Sequence, residues 1–431
     1  MKQLLILIAL LCWGGQLFAE SLPAKAFTNV TIHYADGSVD EGATIVWRGD
    51  RIQDAGTDVS APFDARVFDG GDSLHVYPGF IDGYSHLGSP GRSRDWDDVD
   101  DPGNPGYYRA GIWPDKAPKE HLESDQQVYI AAQQLGFTTA SIGLEGYMLP
   151  GKLQLFELHG ADTPDYMIRN FIAHGASLRG AGGVYPNTLM GVLAQYRQLW
   201  NDVEAHYEHQ RLYADEPGNF DDPGHNEVLE ALYPVHQQEK PFFFEADSPE
   251  DIDRVIDLQD KLRFDMVLVS AKRAAERAES LAQNDIEVLV SFDLPDKPSF
   301  MEEDEDDEAD NSEELTEEEE HYNQRRAEAW EERVRNLRTL MDAGVDVGFA
   351  SAGLDWGEWN TAIATLLEYG MAEEELLSLL TIDTAGILGI DSNHGDLQSG
   401  NKASFSVMSG SFTDEETEVI HFISGGTKHE L

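Results

Sequence analysis

Hydrophobic and polar positions alternate with one period at the ends of the chain and another in its middle. Residues 29–56, "NVTIHYADGSVDEGATIVWRGDRIQDAG", switch between apolar and polar almost residue by residue. A two-residue period turns one set of side chains to each face of a strand. Asp36-Gly37 and Gly49-Asp50 interrupt it as turns, so the stretch predicts antiparallel hairpins. Residues 65–82, "ARVFDGGDSLHVYPGFID", continue the strand-like pattern. The far end, "ASFSVMSGSF" and "TEVIHFISGG", has the same texture. The two β-rich ends predict one small domain assembled around a central body.

The middle has a longer rhythm. "DQQVYIAAQQLG" predicts a helix stopped by Gly136, followed by the strand "FTTASIG". Ser248 is placed to cap a helix that runs through Leu262, with Pro249 in its first turn and Glu250 and Asp251 against the positive end of the dipole. Then come strand "DMVLVS", helix "RAAERAESLAQN", strand "IEVLVSF", a long helix through Met341 stopped at Gly344, and strand "VDVGFAS". Strand and helix in alternation imply a parallel sheet covered by helices. The number of units favours closure into a barrel. The predicted fold class is therefore α/β: a (β/α)8 TIM-like barrel over residues 78–395, plus a small composite β-sandwich domain built from residues 20–77 and 396–431.

Two segments stand outside this pattern. In residues 302–320, fourteen of nineteen positions are Asp or Glu, which leaves too little apolar surface to order the segment and predicts a mobile loop. The spaced oxygens and fixed glycine of an EF-hand calcium loop are absent. Residues 1–19 show a short basic start, an apolar run and a small-residue cut near Ala19, the pattern of a signal peptide and of a periplasmic or secreted protein. The single cysteine, Cys12, lies inside that segment, so the remainder has no disulfide. No later run is long enough for membrane insertion.

Charge narrows the partners. With 30 basic and 81 acidic residues, the chain carries −51, which repels nucleic acid and anionic membranes. Such self-repulsion is screened over ~10 Å or less at moderate salt. The melting temperature is expected to rise from low to molar salt; a flat or falling value in a thermal melt would contradict this.

In a β/α barrel the functional residues sit at the C-terminal ends of the strands. The first barrel strand ends in "IDGYSHLG". Two residues with one between them on a strand point the same way, so His-x-His would supply two converging nitrogen ligands. Here the pair is Tyr84 and His86. "VYPGFIDGYSHLG" resembles the PG-[LF]-ID-x-H-x-H signature that opens the barrel in the amidohydrolase superfamily. "GDRIQDAG", "LGFTTASIG" and the tail "AEEELLSLLTIDTAGILGIDSNHGDLQSGNKASFSV" resemble other landmarks of that family in the right order. "VYPNTLMGVLAQYRQ" and "GIWPD" are similar to its secreted, imidazolonepropionase-like branch. The resemblance implies a hydrolase of non-peptide C–N bonds that depends on zinc or another divalent metal.

The ligand positions depart from the family pattern. Tyr84 replaces the first histidine, Glu245 stands where the fifth strand should end in histidine, and Ser270 where the sixth should. Ala352 takes the place of the aspartate that serves the family as metal ligand and base. Without a metal, water keeps a pKa near 15.7 in place of ~7, and the nucleophile is lost. Two readings follow. The first is a degenerate member that binds a small molecule or a related periplasmic protein. The second is an active hydrolase with an altered, oxygen-rich metal site drawn from His86, Glu245, Asp247 and Asp355. His174, Arg179, Tyr185 and Trp113 are further candidates to line a pocket.

Overall fold

In a computed structural model, the chain is described over residues 22–91, 99–301 and 316–429. The expected signal peptide, residues 1–19, lies outside the described residues. No helix among them is long and apolar enough to cross a membrane.

Eight strands form the barrel wall in sequence order: Phe80–Ser85, Phe137–Gly143, Gly151–Glu157, His174–Ser177, Phe242–Ala246, Met266–Ser270, Glu287–Ser291 and Val347–Ala350. They are called the first to eighth barrel strands below. Their residues are buried almost throughout, as expected of strands with packing on both faces. The third strand departs from the parallel pattern and runs antiparallel to both the second and the fourth. Only residues 144–150 separate the second strand from the third, fewer than the dozen or so that a parallel crossover needs. The chain turns back instead, and that turn sits at the barrel mouth.

The first and eighth strands close the ring through a buried carboxylate. Asp82 is fully buried; its Oδ1 accepts from the backbone N–H of Tyr84 (3.2 Å) and of Ser351 (2.9 Å). Its Oδ2 has no partner. Burial raises the Asp82 pKa to about 6, although hydrogen bonds from Ser351, Ser85 and Tyr84 oppose the rise. The folded chain therefore binds more protons than the unfolded one between pH ~4 and ~6, and this group's contribution weakens as pH rises through that window. Asp82→Asn removes the titration. Its stability relative to the unmutated chain is expected to improve by about 2–3 kcal/mol between pH 4 and pH 6. Urea unfolding of both chains at each pH checks this, and a constant difference would contradict it.

The flanks meet in one eight-stranded sheet. Phe405–Met408 pairs antiparallel with His75–Pro78, which in turn lies parallel to Lys25–His33. Lys25–His33 also pairs with the hairpin strand Val39–Arg48, with Gly37 at φ 82° in the turn, a left-handed conformation that glycine adopts without cost. Phe27, Trp47, Phe405 and Ile423 fill the core of this sheet.

Two predicted helices differ in detail. The one expected over "RAAERAESLAQN" is a 3₁₀ turn, Ala275–Arg277, leading into the short helix Ala278–Gln283. In the acidic segment, residues 302–315 lie outside the described residues, but Glu317–Glu320 are not loop. They open the helix Glu317–Val334. Thr316 and Glu319 form a reciprocal cap, with Glu319 Oε2 accepting from Thr316 N (2.8 Å) and Thr316 Oγ1 from Glu319 N (3.3 Å). Four acids against the positive dipole end stabilise the first turn where composition alone predicts disorder.

Candidate functional site

The strand ends bring Tyr84, His86, Arg179 and Glu245 together at the barrel mouth. Register explains part of this. Ser177 on the fourth strand pairs with Glu245 on the fifth, so Arg179, two residues beyond Ser177, emerges beside that carboxylate. The Tyr84 hydroxyl donates to Glu245 Oε1 at 2.8 Å. His86 Nε2 stands 3.8 Å from the same oxygen, an ion-pair contact, while its Nδ1 lies 3.0 Å from the Gly143 carbonyl. Arg179 Nη2 is 3.3 Å from Glu245 Oε2.

The electrostatics follow from this geometry. Burial alone would raise the Glu245 pKa; hydrogen bonding and charge from His86, the Arg179 charge and the Tyr84 hydroxyl outweigh it and hold the carboxyl at about 2. Burial likewise favours neutral His86, but Glu245 and the Gly143 carbonyl outweigh it and raise its pKa. Glu245 thus faces His86 and Arg179, and the Glu145 charge also acts on His86.

The other positions expected to hold metal are apolar or turned to local use. Tyr84 is fully buried and Ala352 nearly so; both pack with Phe243, Val267, Val269 and Leu289 inside the barrel. Ser270 and the following Ala271 are left-handed, at φ 73° and 48°, an uncommon state for residues with a Cβ and costly unless the fold enforces it. That bend carries Lys272 across to an ion pair with Asp293. Asp355 caps its own turn, accepting from Gly357 N at 3.0 Å. Asp247 Oδ1 lies 3.4 Å from Lys272 N.

These residues do not fit a catalytic zinc. Such an ion takes at least three protein donors at ~2.0–2.3 Å, and here Ala352 offers none and Tyr84 is a phenol already donating to Glu245. An ion on Glu245 would also meet the Arg179 charge, which already pairs with that carboxylate at 3.3 Å. Among the described residues, no group of three or more His, Cys, Asp or Glu is arranged to hold a metal ion.

His174 is not at the mouth, which corrects the expectation that it lines a pocket. It begins the fourth strand, at the opposite end of the barrel, and is fully buried. Its Nε2 lies 2.8 Å from the Ala231 carbonyl and its ring packs against Phe171. Burial lowers its pKa to about 4, so it is a neutral structural histidine. Trp113 lines a hollow of about 350 Å³ beside the mouth. Tyr185 lines a separate one with Tyr107 and Gln198. Sequence reasoning missed the Lys272–Asp293 pair and the role of Asp82. The Asp in "IDGYSH" was a visible signal for the latter, whereas a left-handed pair such as Ser270-Ala271 leaves no trace in composition.

Comparison with known proteins agrees with the barrel and its flanks. The Amidohydrolase family model matches residues 263–428. No curated protein matches the sequence. Among solved structures, an amidohydrolase from Thermotoga maritima MSB8 is similar at 19% identity and a TM-score of 0.74, over 94% of this chain and 99% of that one. The atrazine chlorohydrolase TrzN from Arthrobacter aurescens TC1, solved with zinc, is similar at 14% identity and a TM-score of 0.52, over 94% of each chain. A prolidase complexed with N-methylphosphonate-L-proline is similar at 14% identity and a TM-score of 0.52, over 94% of this chain and 99% of that one. The family model covers about two fifths of the chain, and the solved structures share the fold of the barrel and its composite flank over nearly all of it.

Proposed function

We propose that this member has exchanged metal-dependent hydrolysis for binding of a small molecule at the barrel mouth. The observation that carries the reading is the Tyr84–Glu245–Arg179–His86 cluster. It occupies strand ends at which the resemblance implies metal ligands, in a fold shared with an atrazine chlorohydrolase solved with zinc. Ala352 stands where the resemblance implies a carboxylate base, and Glu245 is engaged by Tyr84, His86 and Arg179, which supports binding over hydrolysis. What remains is a charged rim with an aromatic hollow beside it, which suits recognition. We further propose that residues 1–19 are removed on export, so that protein recovered from cells begins at Glu20; an N-terminus at Met1 would contradict this.

The test of the binding reading is thermal unfolding in chelator and in excess zinc. A ligand present at 100 times its Kd stabilises the folded state by ~2.7 kcal/mol. The melting temperature is expected to be the same in both solutions. A zinc-dependent rise abolished by Glu245→Ala would favour the oxygen-rich metal site instead.

A further inference from the structure

The hollow lined by Tyr107 and Tyr185 lies along the helix Leu189–Asp215, which follows the fourth barrel strand. Val192, Tyr196, Leu199 and Val203 form the buried face of that helix, and the Tyr196 ring centre stands 5.6 Å from that of Phe244 on the fifth strand. Beside this face, Gln195, Gln198 and Asp202 recur at spacings of three and four residues, so they form one polar stripe. The loop that carries Asn104 and Tyr107, together with Tyr185, supplies the rest of the polar lining. These parts are fastened to one another. Tyr185 N donates to the Pro102 carbonyl at 2.8 Å, and its hydroxyl donates to the Gly191 carbonyl, in the first turn of the helix, at 3.2 Å. Gln198 Nε2 donates to Asp202 Oδ1 at 2.8 Å. Burial raises the Tyr107 pKa, and the Asp202 charge and a hydrogen bond to that carboxylate add to the rise. Loop and helix therefore meet on one carboxylate. The space between them is about 480 Å³, within the range of ligand sites.

The lining is polar but almost uncharged. Among the described residues around the hollow, Asp202 is the one ionised side chain. An anion would find no base there, in a chain that carries −51. A cation would find a carboxylate already accepting from Gln198 and Tyr107. A neutral ligand that both donates and accepts fits better. The amides of Asn104, Gln195 and Gln198 each carry an acceptor oxygen and a donating NH2 group. The Tyr185 ring, 37% exposed, offers a face whose negative charge density attracts polarised C–H groups. A saturated ring with hydroxyls around its edge and C–H groups on its faces has both properties. We propose that this hollow binds a neutral sugar, held by the Gln195–Gln198–Asp202 stripe and stacked on Tyr185. None of Tyr84, His86, Arg179 and Glu245 lines the hollow, so the site is additional to the one at the barrel mouth.

Saturation-transfer NMR on the full chain at pH 6.5 tests this with glucose and galactose, each compared with its amino sugar and its uronate. The three members of each set share a ring and differ in charge. At least one of the two hexoses is expected to bind saturably at millimolar concentration, at least tenfold more tightly than its charged counterparts. Ala194→Trp sets a large side chain in the hollow from an exposed helix position and is expected to abolish the signal. Tyr185→Ala and Gln195→Ala are each expected to weaken binding at least fivefold, with melting temperatures confirming that the variants fold. If Tyr185→Ala does not fold, Ala194→Trp decides. No saturable signal from either hexose at tens of millimolar, equal or tighter binding of an amino sugar, or a hexose signal unchanged in Ala194→Trp would each overturn the proposal.

Discussion

Glu245→Ala is expected to destabilise the folded protein by about 3–5 kcal/mol at neutral pH, the cost of removing one partner from a buried ion pair. The substitution removes the Glu245 carboxylate that accepts from the Tyr84 hydroxyl and pairs with His86 and Arg179. Arg179 is half exposed, and solvent screens its share. The larger loss comes from Tyr84 and His86. The carboxyl gives an independent measure of the same quantity. Its folded pKa of about 2, against 4.5 when unperturbed, corresponds to roughly 3 kcal/mol. Because the folded value is depressed, that stability is present above pH ~4.5 and is lost as pH falls towards ~2. The two figures describe one interaction and are not added. Denaturant unfolding at pH 7 and pH 3 checks both: the variant should differ strongly at pH 7 and much less at pH 3. A difference below ~1 kcal/mol at pH 7 would show that the cluster contributes no more than surface pairs do.

Gly83→Val is expected to cost ~3 kcal/mol or more, at or above the upper end for overpacking a closed core. Gly83 lies where the first strand meets the eighth. A Cβ there would stand 2.7 Å from the Phe349 backbone oxygen and 2.7 Å from a methyl of Leu289. The leucine could rotate, but the carbonyl belongs to the eighth strand, so relief requires the seam itself to open. Gly386 is the control, because a Cβ added there meets nothing within 4 Å and it lies in the helix Thr384–Ile387. Gly386→Ala should therefore stabilise the chain by about 0.5–1 kcal/mol. Equal effects at the two positions would contradict a tight barrel closure at Gly83.

The fold was legible because its elements are marked locally. Ser248 caps the helix Pro249–Leu262 through its side chain, as its position before Pro249 indicated. Gly136 and Gly344 end helices at φ 93° and 78°. The antiparallel third strand was not legible as such, since "GKLQLFE" reads the same in either direction and only the short turn before it decides. For the site, the substitutions at Tyr84, Glu245, Ser270 and Ala352 were visible as missing imidazoles and a missing carboxylate. What replaced them was not visible. The Arg179–Glu245 pair joins neighbouring strands whose register no local pattern encodes. His174 stands in sequence just before the glycine of a strand, and only the direction of that strand shows that it faces away from the mouth.

The central claim is that an ion-pair cluster stands at the strand ends where the resemblance implies metal ligands. Elemental analysis of the purified full chain tests it most directly, after gel filtration in buffer supplied with zinc. The account predicts well under one equivalent of zinc per chain, with no change on His86→Ala. One or two retained equivalents, lost on His86→Ala, would contradict it.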